Sequence, residues 1–249
     1  MFETKWSPNE VRECLDEFYS LYQKRPIQDN SGGMKSAHML NAWFMVKTLK
    51  PKFLIESGIF EGQGTWFFEK ASPETQIISI DPLLAQRYYI SDKVDYRTHD
   101  FLETDWSGID KDNTFIFFDD HQNFFERFKH CCETGFKRLA WEDNYPYSQG
   151  DCYTPKKILS NKNWVMDYNG QRTWNEKNDD DLDYLNKNMK IYQEMNPIFG
   201  DNFTRWGDEW EMNKYPTNLP LLLPEQAREY PVYFQERRDY TWICYIETH

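Results

Sequence analysis

A chain of 249 residues with 39 % apolar and 18 % aromatic side chains can bury a full core, which excludes a disordered polypeptide. A formal charge of −12 argues against a nucleic-acid partner, since phosphate contacts need clustered Lys and Arg. No apolar run is long enough to cross a bilayer, and Met1-Phe2-Glu3-Thr4-Lys5-Trp6 lacks the charged-then-apolar profile of a secretory signal, so a cytoplasmic protein with no membrane partner is expected. The five cysteines, Cys14, Cys131, Cys132, Cys152 and Cys244, are odd in number and form no CxxC pair. They fit reduced, mostly buried thiols.

In chain order, Ser7-Pro8-Asn9-Glu10 is a capping-box pattern, and Val11, Leu15, Phe18 and Tyr22 follow at helical spacing. Asn30-Ser31-Gly32-Gly33 ends that pattern, and Met39, Trp43 and Val46 predict a second helix from about Ser36 to Leu49. Apolar strands are predicted at Phe53 to Glu56, Ile77 to Asp81, Val94 to Thr98, Thr114 to Phe118 and Arg138 to Trp141. Between them lie helices from Gly62 to Lys70 and from Asn123 to Glu133, the second stopped by Gly135. Near-continuous apolar strands alternating with helices predict a parallel sheet covered on both faces. From Tyr145 the composition shifts to Tyr, Trp, Asn and Pro. A helix is expected from about Leu182 to Glu194, and strands return at Pro231 to Gln235 and Tyr240 to Thr248, joined by a hairpin turn at Glu236-Arg237-Arg238-Asp239.

In an open α/β sheet, ligands bind beyond the carboxyl ends of the strands. Four of these ends carry acids: Glu56, Asp81, Asp119-Asp120 and Glu142-Asp143-Asn144. Each could cap the segment that follows it. Four at one edge repel one another, which favours a ligand or metal. Glu56 to Thr65 reads E-x-G-x-x-x-G-x-G-T between a strand and a helix, with the wide glycine gap first. The dinucleotide fingerprint has the opposite order, and the P-loop ending is absent.

This strand, loop and helix resemble motif I of class I S-adenosylmethionine (SAM) methyltransferases, and Ile77 to Asp81 resembles their second strand. The likeness covers roughly Phe53 to Asn144, plus the final antiparallel strand. It implies a Rossmann-like methyltransferase sandwich: an α/β fold, mostly parallel, with an antiparallel C-terminal strand and a large insertion before the last hairpin. The expected layout is one domain, 1–249, with N-terminal helices at 1–50, a SAM-binding core at 51–144, an insertion or lid at 145–224 and a C-terminal hairpin at 225–249. The resemblance further implies that Gly58, Gly62, Gly64 and Thr65 line SAM and that Glu56 faces its amino group. Asp81 would hold the ribose hydroxyls and Asp100 would lie near the adenine, with a plain helix cap as the alternative for Asp100.

Phe118-Asp119-Asp120-His121 and Glu142-Asp143-Asn144 are similar to the metal-dependent, catechol-type O-methyltransferases and their cephalosporin-hydroxylase-like relatives. That likeness implies Mg²⁺ (or Mn²⁺) on Asp120, Asp143 and Asn144, with Asp119 or Glu142 as ligands if the register differs by one. Where catechol-type enzymes carry a Lys base, this chain reads Gln122-Asn123-Phe124, which leaves His121 as the catalytic base or as a structural histidine. The expected activity is O-methylation of a small-molecule or sugar acceptor. A hydroxylase-like relative with another reaction and a non-catalytic SAM-binding module stay open, as does a homo-oligomer. Tyr145-Pro146-Tyr147 and Thr204 to Trp210 are read as a lid over the substrate or as aromatic packing.

Overall fold

The computed structural model describes residues 2–168 and 171–249; Met1 and, within the insertion, Asn169 and Gly170 lie outside them. The Ser7 capping box forms, with the Ser7 N–H donating to Glu10 Oε2 at 2.7 Å and the Glu10 N–H donating back to Ser7 Oγ. The single helix expected there is two, α1 (Pro8–Arg12) and α2 (Leu15–Tyr22). The Cys14 N–H turns to the Val11 carbonyl, an i−3 bond that tightens the chain and redirects the axis. Helix α3 (Ser36–Leu49) lies where expected. Every residue from Ser36 to Val46 is buried, which makes it a core helix rather than a surface one.

Among the described residues seven strands form one sheet, in the order β3-β2-β1-β4-β5-β9-β8. They are β1 (Phe53–Ser57), β2 (Gln76–Ile80), β3 (Asp95–Arg97), β4 (Thr114–Phe118), β5 (Arg138–Trp141), β8 (Met189–Glu194) and β9 (Cys244–Thr248). The first five run parallel; β9 runs antiparallel to both β5 and β8. Helices α4 (Gln63–Ala71) and α5 (Phe124–Thr134) complete the crossovers. Period-2 alternation assigns the strands to two cores. Phe115 and Phe117 face α2, α3 and α4, whereas Ile116 and Phe118 face α5. This is a Rossmann-like sandwich, mostly parallel, with an antiparallel last strand. Its order reverses at the β1–β4 boundary.

The insertion holds α6 (Pro155–Ser160), a two-stranded hairpin of β6 (Trp164–Tyr168) and β7 (Gln171–Asn175), and α7 (Asp179–Asn188). The helix expected through Glu194 stops at Asn188. From Met189 the buried positions alternate, Met189, Ile191 and Gln193, and the segment pairs with β9 as an edge strand. The segment expected as an insertion or lid thus supplies an edge strand of the sheet. The strand expected at Pro231 to Gln235 is instead helix α8 (Pro231–Gln235), and Arg237 to Asp239 is a short helical turn rather than a hairpin. Pro231 opens the helix at its first turn, and Tyr233 stacks on Tyr230 and packs against Tyr19 of α2. The antiparallel partner of β9 is thus β8. No helix among the described residues is long and apolar enough to cross a membrane.

Candidate active site

A cavity of about 700 Å³ opens at the carboxyl ends of β1, β2, β4 and β5, across the point where the strand order reverses. Backbone pairing continues one residue beyond several strands and brings their acids to this edge. The Asp81 N–H donates to the Arg97 carbonyl, the Asp119 N–H to Ser57 and the Glu142 N–H to Phe118.

On one side the wall is the turn after β1. Gly58 has φ +94°, and a Cβ there would sit 2.0 Å from the Asp119 carbonyl oxygen, so glycine is what lets β1 and β4 end this close together. Asp81 faces the turn. Its Oδ2 accepts the N–H groups of Ile59 (3.0 Å) and Phe60 (3.2 Å), and its Oδ1 accepts that of Leu83 (2.7 Å). Gly58 and Asp81 line the cavity; Glu56, Gly62, Gly64 and Thr65 do not. Glu56 is buried beneath the loop, and its Oε2 accepts from Thr65 Oγ1 and Ser79 Oγ at 2.6 Å each. Burial pushes its carboxyl up to about 7. It is therefore turned away from the position where it was expected to meet a cofactor. Gly62 starts α4 with φ +90°, where a Cβ would meet the Tyr89 carbonyl at 2.6 Å.

Asp100 is held by a residue that sequence reasoning passed over. Arg127, buried on α5, donates from both terminal nitrogens to the two oxygens of Asp100 at 2.6 Å each, and from Nε to Asp120 Oδ2 at 3.1 Å. Asp120 also accepts from Ser57 Oγ at 2.7 Å. These partners occupy Asp120 Oδ2 and compete with the metal role expected of it, although Asp120 still lines the cavity. Asn144 is removed. It is fully buried, donates to the Tyr192 hydroxyl at 2.9 Å and accepts the Lys156 N–H at 2.9 Å. Of the expected ligands, Asp120 and Asp143 line the cavity, Asp120 already paired with Arg127 and Ser57, and the one-residue register alternatives Asp119 and Glu142 line it too.

Asp119, Glu142 and Asp143 form a crowded acidic end. Burial first, then the neighbouring carboxylates, holds the Asp119 carboxyl well above the usual range, and Glu142 likewise. His38 of α3, a second residue missed from sequence, is buried here. The Thr241 backbone N–H donates to its Nε2 at 2.9 Å, so Nδ1 carries the proton and donates to Glu142 Oε1. The Thr241 hydroxyl donates to Asp143 Oδ1 at 2.6 Å. His121 stands on the rim with its Nδ1 3.2 Å from Asp151 Oδ1 and its Nε2 3.7 Å from Asp143 Oδ2. The Asp151 hydrogen bond, reinforced by Asp143 and Asp119, pushes it up to about 10. A histidine held protonated at neutral pH cannot accept a proton, so these surroundings do not support the base role expected of His121. Single donor atoms of Asp119, His121 and Asp143 lie within 4.8 Å of one another, a spacing that one ion could bridge.

The segment read as a lid supplies Arg205 to the cavity wall. Trp206, 41 % exposed, packs on Tyr145 with ring centroids 5.6 Å apart, and the Thr204 N–H donates to the Asp208 carbonyl to close the turn.

No family profile matches the sequence, and no curated protein matches it. Solved structures similar to the chain include the SAH-bound Podospora anserina methyltransferase PaMTH1. It is 17 % identical, matched over 57 % of this chain and 64 % of that one, with a TM-score of 0.38. CmcI with SAH is 17 % identical over 44 % of this chain and 62 % of its own, at a TM-score of 0.37. An O-methyltransferase from Bacillus cereus in complex with SAH is 15 % identical over 54 % and 66 %, at 0.33. In all three the chain spans less than two thirds of the other protein's length.

Proposed function

We propose that the chain is a SAM-dependent O-methyltransferase that acts on a hydroxyl of a small molecule or glycoside, with a divalent cation assisting. One observation carries the cofactor assignment: Asp81 occupies the N–H groups of Ile59 and Phe60 in the glycine turn. In a dinucleotide site, N–H groups of such a turn meet a pyrophosphate. A carboxylate already seated on them repels a phosphate and welcomes a cation or a hydroxyl donor. The cavity wall is rich in acids and carries Lys35, Arg127 and Arg205 as its only Lys or Arg side chains among the described residues, and Arg127 is spent on Asp100 and Asp120. That charge balance suits a sulfonium ion with a ribose.

When bound, SAM supplies a methyl group on a positively charged sulfur. Asp81 would orient the ribose, Gly58 would let the cofactor lie against the backbone, and Arg205 with Trp206 would exclude water. The acidic end fits a divalent ion, because Asp119 and Asp143 supply oxygen donors and their crowding is relieved by positive charge. His121, once an ion displaced its ring proton, would be the third donor of a mixed set that suits Mn²⁺ at least as well as Mg²⁺. Such an ion, when present, lowers the pKa of a bound hydroxyl.

Calorimetry with S-adenosylhomocysteine and with NAD⁺ tests the assignment. Binding of the first and not the second is expected. The reverse result overturns it.

A further inference from the structure

Beyond His121 lies a second groove, of about 630 Å³, that shares His121 and Gln122 with the cavity just described. The inserted β6–β7 hairpin forms its outer wall. Its floor is apolar: Tyr153 and Trp164 stack with centroids 4.6 Å apart, and Met166 extends the patch. Its rim is built from amides. Asn123 caps α5, its Oδ1 accepting the Phe125 N–H at 2.9 Å, and Asn178 caps α7, its Oδ1 accepting the Asp181 N–H at 3.2 Å. With their oxygens so fixed, the amide N–H₂ ends of both side chains are left as oriented donors.

Trp164 and Asn175 face each other across the hairpin. Trp164 Nε1 and Asn175 Nδ2 are both buried and have no hydrogen-bond partner among the described residues. Both atoms are closed to solvent as they stand, and a small turn of each side chain would bring two donors without acceptors to a ligand rich in oxygen. No Lys or Arg lines the groove among the described residues, whereas Asp151 and Asp181 do. The one cation on its wall among the described residues, His121, is already paired with Asp151, so a neutral occupant is favoured over a phosphate, a sulfate or a carboxylate.

We propose that this groove is an acceptor subsite for an uncharged glycosyl ring. The ring's C–H face would lie on the Trp164 patch, and its hydroxyls would pair with the amides and with the two orphan donors. The reacting hydroxyl would reach past His121 to the Asp119–Asp143 end. The inference rests on the methyltransferase reading for the reaction, but not for the binding.

Saturation-transfer NMR with a panel of nitrophenyl glycosides, beside their 6-phosphates and uronates, tests it on the full chain. Saturation of the sugar protons of at least one neutral glycoside is expected, with none for the anionic analogues. Trp164→Ala should weaken that glycoside at least tenfold, and Asn175→Ala, a smaller change should Trp164→Ala not fold, by about threefold or more. Both should leave affinity for S-adenosylhomocysteine unchanged. No binding by any neutral glycoside, equal binding of the anionic analogues, or full affinity in both variants overturns the subsite. Glycoside binding without S-adenosylhomocysteine binding would leave the subsite standing and remove the methyltransferase reading instead.

Discussion

Thr241 fixes the tautomer of His38: its backbone N–H points at Nε2, so the single ring proton must sit on Nδ1, facing Glu142. The ring is 2 % exposed, and burial holds its imidazole down at about 4, so it stays neutral at neutral pH. Replacing His38 by Ala leaves a buried carboxyl and a buried backbone N–H without partners and opens a void. A loss of about 2–4 kcal/mol is expected by denaturant unfolding. His38→Asn, whose amide can stand in for Nδ1–H, should lose less. Equal losses would mean that volume rather than the hydrogen bond is what His38 contributes.

The two roles argued for Asp81 separate experimentally. Asp81→Asn keeps a carbonyl oxygen for the Ile59 and Phe60 N–H groups but loses the charge. It should weaken S-adenosylhomocysteine binding by roughly 10- to 100-fold with little change in melting temperature. Asp81→Ala loses the anchor as well and should lower both. Calorimetry and thermal melts on the same preparations read the two effects.

At the acidic end, Mn²⁺ should raise the melting temperature, since an ion that binds only the folded state stabilises it. Asp119→Ala and Asp143→Ala should each abolish that rise. Asn144→Ala should lower the starting melting temperature, because Tyr192 and the Lys156 N–H lose their partner, yet should leave the metal-dependent rise intact. A rise that depends on Asn144 and not on Asp119 would restore the ligand set first expected.

Glu56 gives a pH signature. Its folded-state carboxyl is raised from 4.5 to about 7, so between these values the unfolded chain has released a proton that the folded chain keeps. Stability contributed by the protonated group is therefore full below pH 4.5, falls as pH rises to 7, and is constant above. Glu56→Gln removes this term. Between pH 5 and 8 the wild type should lose roughly 2–3 kcal/mol more than the variant. His38, held low, acts with the opposite sign between about pH 4 and 6.5, but it is common to both proteins and drops out of the difference.

Strand positions and the acids at their ends were legible because β-branched runs closed by Asp or Glu carry a local signal. His38 and Arg127 were not. Each sits inside a helix whose apolar pattern explains its neighbours, and only the tertiary fold shows that His38 meets Glu142 104 residues away. The register at Asp119-Asp120 was also undetermined, because adjacent side chains on an extended segment point oppositely and either could face the cavity. In the structure both line the cavity, and what sets them apart is that Arg127 holds Asp120. At Pro231 to Gln235, five residues are too few to separate a period of 2 from one of 3.6. At Met189 the helix-to-strand switch is set by pairing with β9, which no local window contains.

Among the described residues, three of the six non-glycine positions with positive φ line the cavity: Phe60 (52°), His121 (52°) and Asp143 (46°). Each holds an L-residue where glycine or asparagine would sit with less strain, at a cost of about 1–2 kcal/mol apiece. Laboratory evolution toward heat tolerance alone would therefore be drawn to these three codons, and every improvement there would flatten the rim of the site. A thermostable descendant of this chain has to find its gains elsewhere. A screen that rewards survival without ligand binding would select the chemistry away.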